Sequence, residues 1–530
     1  MARRTDPAEL AIAAALFSSV ADEMGVTLGR TAHSPNIKER KDYSCAVFDA
    51  DGCLVAQAAH IPVHLGAMPS AVEAVLPLAP FAPGDLFILN DPYLGGTHLP
   101  DITMVSPVFL RRTLLGFVAS RAHQADVGGM SPGSMPLAEE LIQEGVVIPP
   151  IRLYDRGRLN EGVLALLLRN MRAADERRAD LDAQVAAQSA GERRLREVFE
   201  RFGVPRARRM TAELLDYAER MTAAALRLLP DGEYDAEDFL DNDGMTDEAV
   251  PIRVRIFLQD GRMHCDFTGS ASERPSSINA VAAVTRSAVY YVVRCLLEAQ
   301  PGGEDVPAND GCFRPVSFTL PERSVVNASP PRAVAAGNVE TSQRIADVVL
   351  AALASAAPGI IPAGSQGTMN NVAIGGHQSD DSVFAYYETI GGGTGGTPIA
   401  DGEDAVHSHM TNTMNTPAEA LEIAYPFRLL KYAVRRGSGG EGVHRGGDGI
   451  VRTYEFLEPV SVTLLTERRR RGPPGLSGGL DGKPGRNRAT IDGVERELPG
   501  KVQMKLGVGD KLTTETPGGG GWGKAGHAQA

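Results

Sequence analysis

The sequence predicts an α+β protein of several domains, with mixed, mostly antiparallel sheets and one long helical segment. The chain of 530 residues is long enough for two to four domains, and its 43% of hydrophobic residues is ordinary for a globular protein. Hairpin patterns fill the first quarter, a charged helical pattern follows, and short strand patterns divided by turn residues come last. These three observations define the expected fold class.

The first predicted hairpin covers residues 43–57 and turns at 49–52 through an Asp-Ala-Asp-Gly sequence. Asp42 precedes its first strand, and Ala59 and His60 follow its second strand. The first strand begins and the second strand ends at the open end of the hairpin. Asp42 is therefore expected close to Ala59 and His60. A carboxylate and an imidazole are therefore expected together at this point.

A second predicted hairpin starts at Asp101 and turns at 111–113, where two arginines and a threonine interrupt the strand pattern. Residues paired across an antiparallel hairpin keep a constant sum of their numbers, so a turn centred on residue 112 places Asp101 opposite His123. His98 lies three residues before Asp101, in a glycine-containing loop. The open end of this hairpin thus collects a carboxylate and two imidazoles.

The two hairpin ends together offer a candidate metal site. Two carboxylates and two or three imidazoles suit a divalent metal that keeps one open position. Mixed histidine and aspartate ligation fits zinc or manganese and, less well, iron, and the sequence does not choose among them. A centre of this kind is typical of a hydrolytic or carbonyl-activating enzyme.

Helical patterns flank the hairpins. A helix is predicted over residues 7–29, with Asp6 as its N-cap before a proline. A charged pattern over 160–226 predicts a long helical segment, interrupted near Gly191 and at Gly203. Alternating arginine and acidic residues usually form a solvated face, and a helical arm that docks a partner subunit is the alternative.

The second half of the chain returns to β patterns. Strands are predicted at 250–259 and 262–267, helices at 281–298 and 341–357, and short strands over 450–516. Four regions follow: an N-terminal β-rich metal-binding region at 1–155, a helical arm or interface region at 156–230, a central α+β region with glycine-rich loops at 231–450, and a C-terminal β-rich region at 451–530.

Composition narrows the class of partner and the compartment. A net charge of -13 argues against nucleic acid as the main partner, and the basic run at 468–471 is expected to be a solvated loop. Five cysteines without a C-x-x-C pair indicate a reducing compartment. No run of about 18 apolar residues is evident, so no membrane span is expected and a cytoplasmic location is predicted.

Several motifs resemble the hydantoinase B/oxoprolinase family. In chain order they are NIKERKDYSC at 36–45, HIPVHLG at 60–66, NDPY at 90–93, GTHLPD at 96–101, RAHQADVGG at 121–129, PGS at 132–134, QEG at 143–145, GNVETSQR at 337–344 and PGGGG at 517–521. The resemblance covers nearly the whole chain.

This resemblance implies a subunit of an ATP-dependent cyclic-amide hydrolase. In such complexes an A-type subunit with an actin-like ATPase fold phosphorylates the carbonyl oxygen of a hydantoin, 5-oxoproline or lactam. The B-type subunit then completes hydrolysis with a metal-bound water, so ATP is used by the partner. Carried over to this sequence, the family's ligands for the divalent metal are Asp42, His98, Asp101 and His123.

Two carboxylates near these motifs are candidates for a general base. Asp126 lies three residues after His123, and Glu144 lies in the Gln-Glu-Gly motif. Either could take a proton from the attacking water or orient a ligand imidazole, and a structural acid is the competing interpretation for each. His60 and His64 are candidates to support the ligands, with a structural role as the alternative.

The glycine-rich loop at 391–397 is the clearest of several in the second half of the chain. The chain lacks a G-x-x-x-x-G-K-[ST] motif, so no ATP site is predicted, and the loop either grips the phosphorylated intermediate or forms tight turns beside the site. His407 and His409 allow a second metal, and Arg344 and Arg445 allow an anion contact. Structural roles are the alternative for all four.

Three functions remain open on the sequence. The first is the B-type (beta) component of a hydantoinase or 5-oxoprolinase that acts on a small cyclic amide. The second is a component of an ATP-dependent ketone carboxylase of the acetone or acetophenone type, in which the metal would hold an enol and CO₂. The third is a non-catalytic scaffold for the A-type subunit. Bicarbonate dependence separates the first two, and metal content separates the third.

Overall fold

The computed structural model describes residues 5–58 and 60–525. Its helices are α1 Pro7–Thr31, α2 Pro35–Lys38, α3 Ala67–Val75, α4 Glu161–Asn170, α5 Ala174–Phe202, α6 Val204–Leu226, α7 Ala282–Glu298, α8 Ser342–Leu353 and α9 Ala418–Ala424. The first ten strands are β1 Tyr43–Asp49, β2 Leu54–Gln57, β3 Leu86–Leu89, β4 Asp101–Leu110, β5 Thr113–His123, β6 Ile151–Asp155, β7 Arg158–Leu159, β8 Gly232–Leu240, β9 Val250–Gln259 and β10 Arg262–Asp266. The others are β11 Val316–Thr319, β12 Asn371–His377, β13 Val383–Glu388, β14 Phe427–Arg435, β15 Gly449–Phe456, β16 Val460–Leu465, β17 Arg486–Ile491, β18 Val494–Leu498, β19 Lys501–Leu506 and β20 Lys511–Glu515.

Four sheets contain these strands. Their orders are β2-β1-β5-β4-β3-β6-β7, β11-β10-β9-β8, β13-β12-β16-β19 and β14-β15-β20-β17-β18. The pair β10–β11 is parallel, whereas pairs such as β4–β5, β8–β9 and β14–β15 are antiparallel. The predicted α+β class with mixed, mostly antiparallel sheets is confirmed.

Both predicted hairpins lie in the seven-stranded sheet. The second is confirmed in register, because β4 and β5 pair Asp101 with His123, with a bulge at Val108. The first, β1–β2, is also present, although Ala59 lies outside the described residues. Asp42 lies opposite His123, the last residue of β5. The ring of His60 packs edge-on against the ring of Tyr43.

Helices cover both faces of this sheet. On one face, Phe17 of α1 and Phe199 of α5 share a hydrophobic cluster with Val47 of β1 and Val118 of β5. On the other face, α3 contributes to a cluster with Phe87 and other sheet residues. The predicted helical segment therefore lies on the sheet, and the predicted boundary at 155 falls within the β6–β7 hairpin.

The predicted interruption of the helical segment near Gly191 is wrong. Helix α5 runs unbroken through this residue, and the breaks fall at 171–173 and at Gly203. A Cβ at Gly191 would overlap the thioether of Met24 on α1. Glycine is therefore needed there for the close approach of two helices, and not for a turn.

The central four-stranded sheet packs on α8. Along β9 the side chains of Val250, Ile252, Val254, Ile256 and Leu258 are buried, while those between them are half-buried or exposed. This alternation gives the strand one apolar face, as the period of a β-strand requires. The buried side chains belong to the cluster that also contains the apolar face of α8. A five-residue π-turn, Gly337–Thr341, leads directly into α8.

Four glycine-rich segments, at 391–396, 437–447, 472–482 and 517–523, pack side by side in the C-terminal half. We call them the glycine bundle. Their main chains hydrogen-bond to one another, as from Gly393 to Pro517 and from Gly519 to Gly447. A Cβ on Gly393 would overlap the carbonyl oxygen of Gly447, and one on Gly519 would overlap that of Thr394. The glycines are needed because main chains here touch without side chains between them.

Within the described residues, one helix, α1, is long and apolar enough by length and composition to cross a membrane. This corrects the expectation that no such run exists. The side chains of Phe17, Val20, Met24 and Leu28 on one of its faces are buried. They pack into the cluster that α1 shares with the sheet and α5, as in a core helix of a globular protein.

Candidate metal centre

Three neighbouring strand ends bring the candidate site together. Asp42 immediately precedes β1, His123 ends β5, and Asp101 begins β4. The register of β1 on β5 sets Asp42 opposite His123, whose main-chain N–H donates to the Asp42 carbonyl oxygen at 3.0 Å. His123 also pairs with Asp101. The three residues therefore lie in one row across the sheet.

The loop between β3 and β4 delivers His98. The Asn90 side chain, at the start of this loop, donates to the carbonyl oxygen of Leu99 at 2.8 Å. The guanidinium of Arg121, buried on β5, donates to the carbonyl oxygen of Gly95 at 2.9 Å. Two buried side chains thus fix the loop on both sides of His98.

The Asp101 carboxylate is the centre of the cluster. Its Oδ1 lies 3.3 Å from His98 Nε2 and 3.3 Å from His123 Nδ1. Ligands that bind one ion at about 2.0–2.2 Å are separated by about 3.0–3.5 Å, so these three atoms have the spacing of a common ligand set. Neither ring nitrogen of the buried His98 has a hydrogen-bond partner among the described residues, and an ion would satisfy one of them. Asp42 Oδ2 lies 4.0 Å from His123 Nδ1 and 3.8 Å from the Arg40 guanidinium, just outside this close group.

The second oxygen of Asp101 has its own supports. Thr97 Oγ1 donates to Asp101 Oδ2 at 2.5 Å, and His64 Nε2 lies 3.4 Å from the same oxygen. His64 Nδ1 lies 2.8 Å from Ser44 Oγ, which fixes the orientation of the ring. His64 therefore has the contacts of a residue that supports a metal ligand, which was one of its two predicted roles. His60, the other candidate, is outside the cavity lining.

The charges at the site favour metal binding. Burial opposes ionisation of Asp101, but the neighbouring side chains of His98, His123 and His64 hold the pKa of Asp101 well below its usual value. Burial lowers the pKa of His64 and of His123, so both imidazoles are neutral at pH 7. An ionised carboxylate and neutral imidazoles are the forms in which these side chains bind a divalent metal.

A cavity of about 20 Å³ lies against the cluster. The residues that line it include Asp42, Asp101, His123, Asn338 and Tyr387. A water molecule needs roughly 10–15 Å³, so the cavity holds one water or one ion and has no room for a ring.

An aromatic side chain and a polar network hold His123 in place. The ring of Tyr387 stacks on the His123 imidazole, with centroids 4.3 Å apart and planes 13° from parallel. The Tyr387 hydroxyl donates to Asn371 Oδ1 at 2.6 Å, and Asn371 Nδ2 donates to Glu340 Oε1 at 2.7 Å. Burial, together with the charge of Glu467, raises the pKa of Glu340 to about 8. The network joins the metal cluster to the π-turn.

Asp126, predicted as a candidate base, has the contacts of a structural acid. Its Oδ1 accepts hydrogen bonds from the main-chain N–H groups of Gly128 and Arg172 at 2.8 and 3.0 Å. Its Oδ2 accepts from the Gly133 N–H at 2.9 Å and from the Arg172 guanidinium at 3.0 Å. These bonds occupy both oxygens and shape the loop after β5, which favours the structural alternative.

Glu144, the other candidate base, is buried outside the cavity lining. Its Oε1 accepts from the main-chain N–H groups of Val334 and Ala335 at 2.9 and 2.8 Å. Burial outweighs these hydrogen bonds and raises the pKa of Glu144 to about 8. Its contacts anchor the segment that leads into the π-turn.

The loop at 391–397 belongs to the glycine bundle, which favours its structural interpretation over a phosphate grip. The main-chain N–H groups of Gly392, Gly393, Thr394 and Gly396 all donate to carbonyl oxygens within the protein. The N–H of Gly395 donates to Ser365 Oγ. These groups are therefore not free to bind an anion.

His407 and His409 have different partners. The ring of His407 lies 3.4 Å from Thr413 Oγ1, and that of His409 lies 3.2 Å from Asp347 Oδ1. Within residues 5–58 and 60–525, the group of three or more close metal-binding side chains is His98, Asp101 and His123, which gives no support to a second metal. Arg344 pairs with Asp238 and Asp347, and Arg445 with Asp404, as structural ion pairs do.

Sequence reasoning missed three residues of the site: Thr97, Asn338 and Tyr387. Thr97 stands beside His98 in one of the resemblance motifs and Asn338 stands in another, so motif membership was the available signal. Tyr387 lies on β13 and reaches His123 from more than 250 residues away, and nothing local in the sequence marks it.

The fold and the site define a multi-domain α+β protein with a buried histidine–aspartate cluster suited to a divalent metal. The chain belongs to the hydantoinase B/oxoprolinase family, whose sequence profile matches residues 6–525.

Curated relatives share this sequence over most of its length. An uncharacterized protein of Methanocaldococcus jannaschii is 39% identical over 96% of this chain and 88% of its own. A putative B-type D-/L-hydantoinase subunit of a Pseudomonas species is 30% identical over 98% of this chain and 90% of its own. The 5-oxoprolinase 1 of Arabidopsis thaliana is 39% identical over 98% of this chain but only 42% of its own, so this chain spans less than half of that protein.

Two solved structures share the fold. The ATP-dependent caprolactamase from Pseudomonas jessenii matches with a TM-score of 0.90 and 30% identity, over 98% of this chain and 92% of that chain. A nucleotide-free acetone carboxylase matches with a TM-score of 0.89 and 19% identity, over 98% of this chain and 76% of that chain. At 19% identity, the second match concerns the fold alone.

Proposed function

We propose that this protein is the B-type subunit of an ATP-dependent cyclic-amide hydrolase. It would open a ring amide whose carbonyl oxygen has been phosphorylated by an A-type ATPase subunit. The observation that carries the proposal is the buried cluster in which Asp101 Oδ1 lies 3.3 Å from both His98 and His123, beside a small cavity. The relatives, which are named as a B-type hydantoinase subunit, 5-oxoprolinases and a caprolactamase, support the substrate class.

The chemistry explains why two subunits would share the work. Resonance makes a ring amide a poor electrophile, and phosphorylation of its oxygen gives an imidate phosphate that water attacks readily. Water then adds to the carbon and gives its first proton to the ring nitrogen. The second proton moves to the nitrogen as the C–N bond breaks, which releases the amine and leaves an acyl phosphate. A second water converts it into the carboxylate and inorganic phosphate. The second subunit therefore needs a site that delivers water and excludes side reactions.

The described residues have defined tasks in this proposal. His98, Asp101 and His123 would hold a divalent ion, with Asp42 as a fourth ligand. Such an ion, when bound, lowers the pKa of water to about 7 and so supplies hydroxide at neutral pH. Thr97 and His64 would keep the Asp101 carboxylate in place. The donor set suits Zn²⁺ or Mn²⁺ better than Fe²⁺.

The size of the cavity adds a requirement. At about 20 Å³ it admits water but no ring, so the walls must separate before a substrate reaches the cluster. Val63 and Met410 also line the cavity, and the N–H of Val63 donates to the Met410 carbonyl oxygen at 3.3 Å. These two loops are the segments that would part. All five cysteines are free thiols, which fits the cytoplasmic location that we propose.

The test is ATP turnover by this chain purified together with its A-type partner. Hydantoin, N-methylhydantoin, 5-oxoproline, caprolactam and small ketones would each be supplied with and without bicarbonate. We expect ADP release coupled to ring opening and indifferent to bicarbonate. Product formation only from a ketone with bicarbonate would contradict the proposal and indicate a carboxylase component.

A scaffold role is tested in the same preparation. A scaffold needs no metal, so the metal content of the purified chain would be measured beside the activity of a His123→Ala complex. Stoichiometric metal and a loss of ring opening in the variant are expected. A metal-free chain with full activity in the variant would place the chemistry in the partner.

A further inference from the structure

The π-turn at Gly337–Thr341 is an irregular helical segment beside the metal cluster. Its backbone N–H at Ser342 bonds to the carbonyl oxygen of Gly337, five residues back rather than four. Asn338 and Val339 line the cavity, whereas Glu340 bonds to Asn371 in the network behind it. Single π-turns of this kind are frequent at functional sites.

The turn is fixed by the structure around it. Gly337 packs so closely on the main chain of Asn279 that a Cβ would overlap its carbonyl oxygen. Thr341 Oγ1 donates to the Ile278 carbonyl oxygen, and Ser342 Oγ donates to the carbonyl oxygen of Asn338 at 2.6 Å. The backbone of Asn338 is therefore held by contacts on both sides.

The side chain of Asn338, unlike its backbone, has a polar atom without a partner in the part of the chain that the structure describes. It is 4% exposed, and its Oδ1 has no hydrogen-bond partner among the described residues. A buried amide oxygen without a partner is unfavourable unless a bound molecule donates a hydrogen bond to it. It lines the same cavity as Asp42, Asp101 and His123, which is the size of one water.

We infer that Asn338 is a further catalytic residue, whose Oδ1 accepts a hydrogen bond from the water that attacks the activated ring carbon. The inference rests on the proposed function. The amide takes no proton: it holds one hydrogen of the water and so directs an oxygen lone pair at the carbon. Both protons of the water reach the ring nitrogen, the first as the C–O bond forms and the second as the C–N bond breaks and the amine leaves.

Two substitutions at Asn338 distinguish the loss of the hydrogen-bond acceptor from a change in side-chain packing. Asn338→Leu keeps the branching at Cγ in a larger side chain without an acceptor, and Asn338→Asp keeps an oxygen in the same place. In the complex with the A-type partner, we expect Asn338→Leu to lower kcat for ring opening about 100-fold, the usual size for one hydrogen bond to a reacting group. We expect KM within twofold and metal content unchanged, and Asn338→Asp should retain at least tenfold more activity than Asn338→Leu.

A single-turnover experiment assigns the defect to one step. ADP formation in the partner should keep its rate in Asn338→Leu, while phosphorylated substrate accumulates because ring opening is slow. Asn309→Leu replaces another buried asparagine, outside the cavity lining, and is the matched control. It should lower the melting temperature and leave kcat near the wild-type value.

Several outcomes would overturn the inference. They are a kcat for Asn338→Leu within threefold of wild type, loss of metal from that variant, equal activity of the Leu and Asp variants, or slowed ADP formation. The wild-type complex, assayed in parallel, reports on the proposed function separately. If it opens no ring, both proposals fail, whereas an active wild type with any of these outcomes removes only the role of Asn338.

Discussion

At the scale of single residues, Asp101 holds the site together. Its two oxygens face four side chains: His98 and His123 at one, and Thr97 and His64 at the other. A carboxylate in this position needs its negative charge, because it is the anionic member of the close cluster. The neutral amide of asparagine has the same shape and would leave the cluster without that charge.

We therefore predict that Asp101→Asn lowers the affinity for the divalent metal at least about 100-fold, more than the loss of a supporting residue does. Ring opening by the complex should fall by a similar factor or more. Metal titration and elemental analysis of the purified variant check the prediction. Asp85→Asn is the matched control, because Asp85 is also buried at this sheet but bonds only to main-chain and arginine groups. Full metal binding by Asp101→Asn would contradict the assignment.

Glu144 gives a prediction about pH. Its pKa is about 8 in the folded protein against an ordinary value of 4.5, so the folded state keeps a proton that the unfolded state loses. Stability from this group is therefore complete below about pH 4.5 and declines as pH rises towards 8. Glu144→Gln mimics the protonated acid and should remove a slope of about 1.4 kcal/mol per pH unit over that window.

Urea unfolding of wild type and Glu144→Gln between pH 5.5 and 7.5 measures this slope. Glu340, whose pKa is also raised to about 8, keeps its own contribution, so the slope of the variant becomes shallower without vanishing. Parallel pH dependences of the two proteins would show that Glu144 is ionised in the folded state.

The site was predictable where its parts are local in sequence. The pairing of Asp101 with His123 follows from one hairpin and its turn, and His98 lies three residues away. The contact of Asp42 with His123 depends on the pairing of β1 with β5, which no turn connects, so the hairpin patterns alone placed Asp42 only near Ala59 and His60, and the family resemblance was needed to group it with His123. Asn338 and Tyr387 belong to segments that are distant in the sequence from the two hairpins. Their positions beside the cluster depend on tertiary packing, which no local sequence pattern predicts.

At the scale of elements, glycine has two uses that look alike in the sequence. In α5, Gly191 admits Met24 and the helix continues, although the pattern predicted a break. In the glycine bundle, main chains touch directly, although the loop at 391–397 had also suggested a phosphate grip. In both places the glycines allow close approach between segments that are distant in the sequence. The sequence patterns of turns do not reveal such contacts, so they predicted a helix break and a phosphate-binding loop.

The bundle yields a prediction about stability. Gly519→Ala should lower the free energy of unfolding by about 2–4 kcal/mol, because the new methyl group overlaps a main-chain carbonyl that cannot move without breaking hydrogen bonds. Gly507→Ala is the matched control: its nearest contact would be Asp510 Oδ2 at 3.5 Å, and a change within about 0.5 kcal/mol is expected. Urea unfolding of both variants checks the pair, and equal stabilities would mean that the segments are not packed as described.

At the scale of the whole molecule, the sequence predicted the class of fold and not its assembly. Hairpins and amphipathic helices are local, so the mostly antiparallel α+β class followed from them. The order β2-β1-β5-β4-β3-β6-β7 interleaves strands that are not neighbours in the chain. Likewise, the predicted helical arm shares a hydrophobic cluster with the N-terminal sheet, in which Phe199 of α5 and Val118 of β5 are distant in the sequence.

Metal binding should be visible in the stability of the whole chain. The cluster draws on three strands and a loop of one sheet, and a ligand that binds only the folded state stabilises it by about 2.7 kcal/mol at 100 times its Kd. We predict that a chelator lowers the melting temperature of the wild-type protein and leaves that of Asp101→Asn unchanged. Calorimetry with and without chelator checks this. A wild-type melting temperature that does not respond to proven metal removal would contradict the prediction.

The glycine bundle also constrains how the protein is made. The N–H of Gly393 donates to Pro517 and the carbonyl oxygen of Gly447 accepts from Gly519, so these two hydrogen bonds must wait for the segment at 517–523 to leave the ribosome. At about 5–20 residues per second, the delay after Gly393 is on the order of 6–25 s. During that time a nascent chain displays bare glycine backbone with open hydrogen-bonding groups, the state in which holdase chaperones and neighbouring nascent chains compete for it.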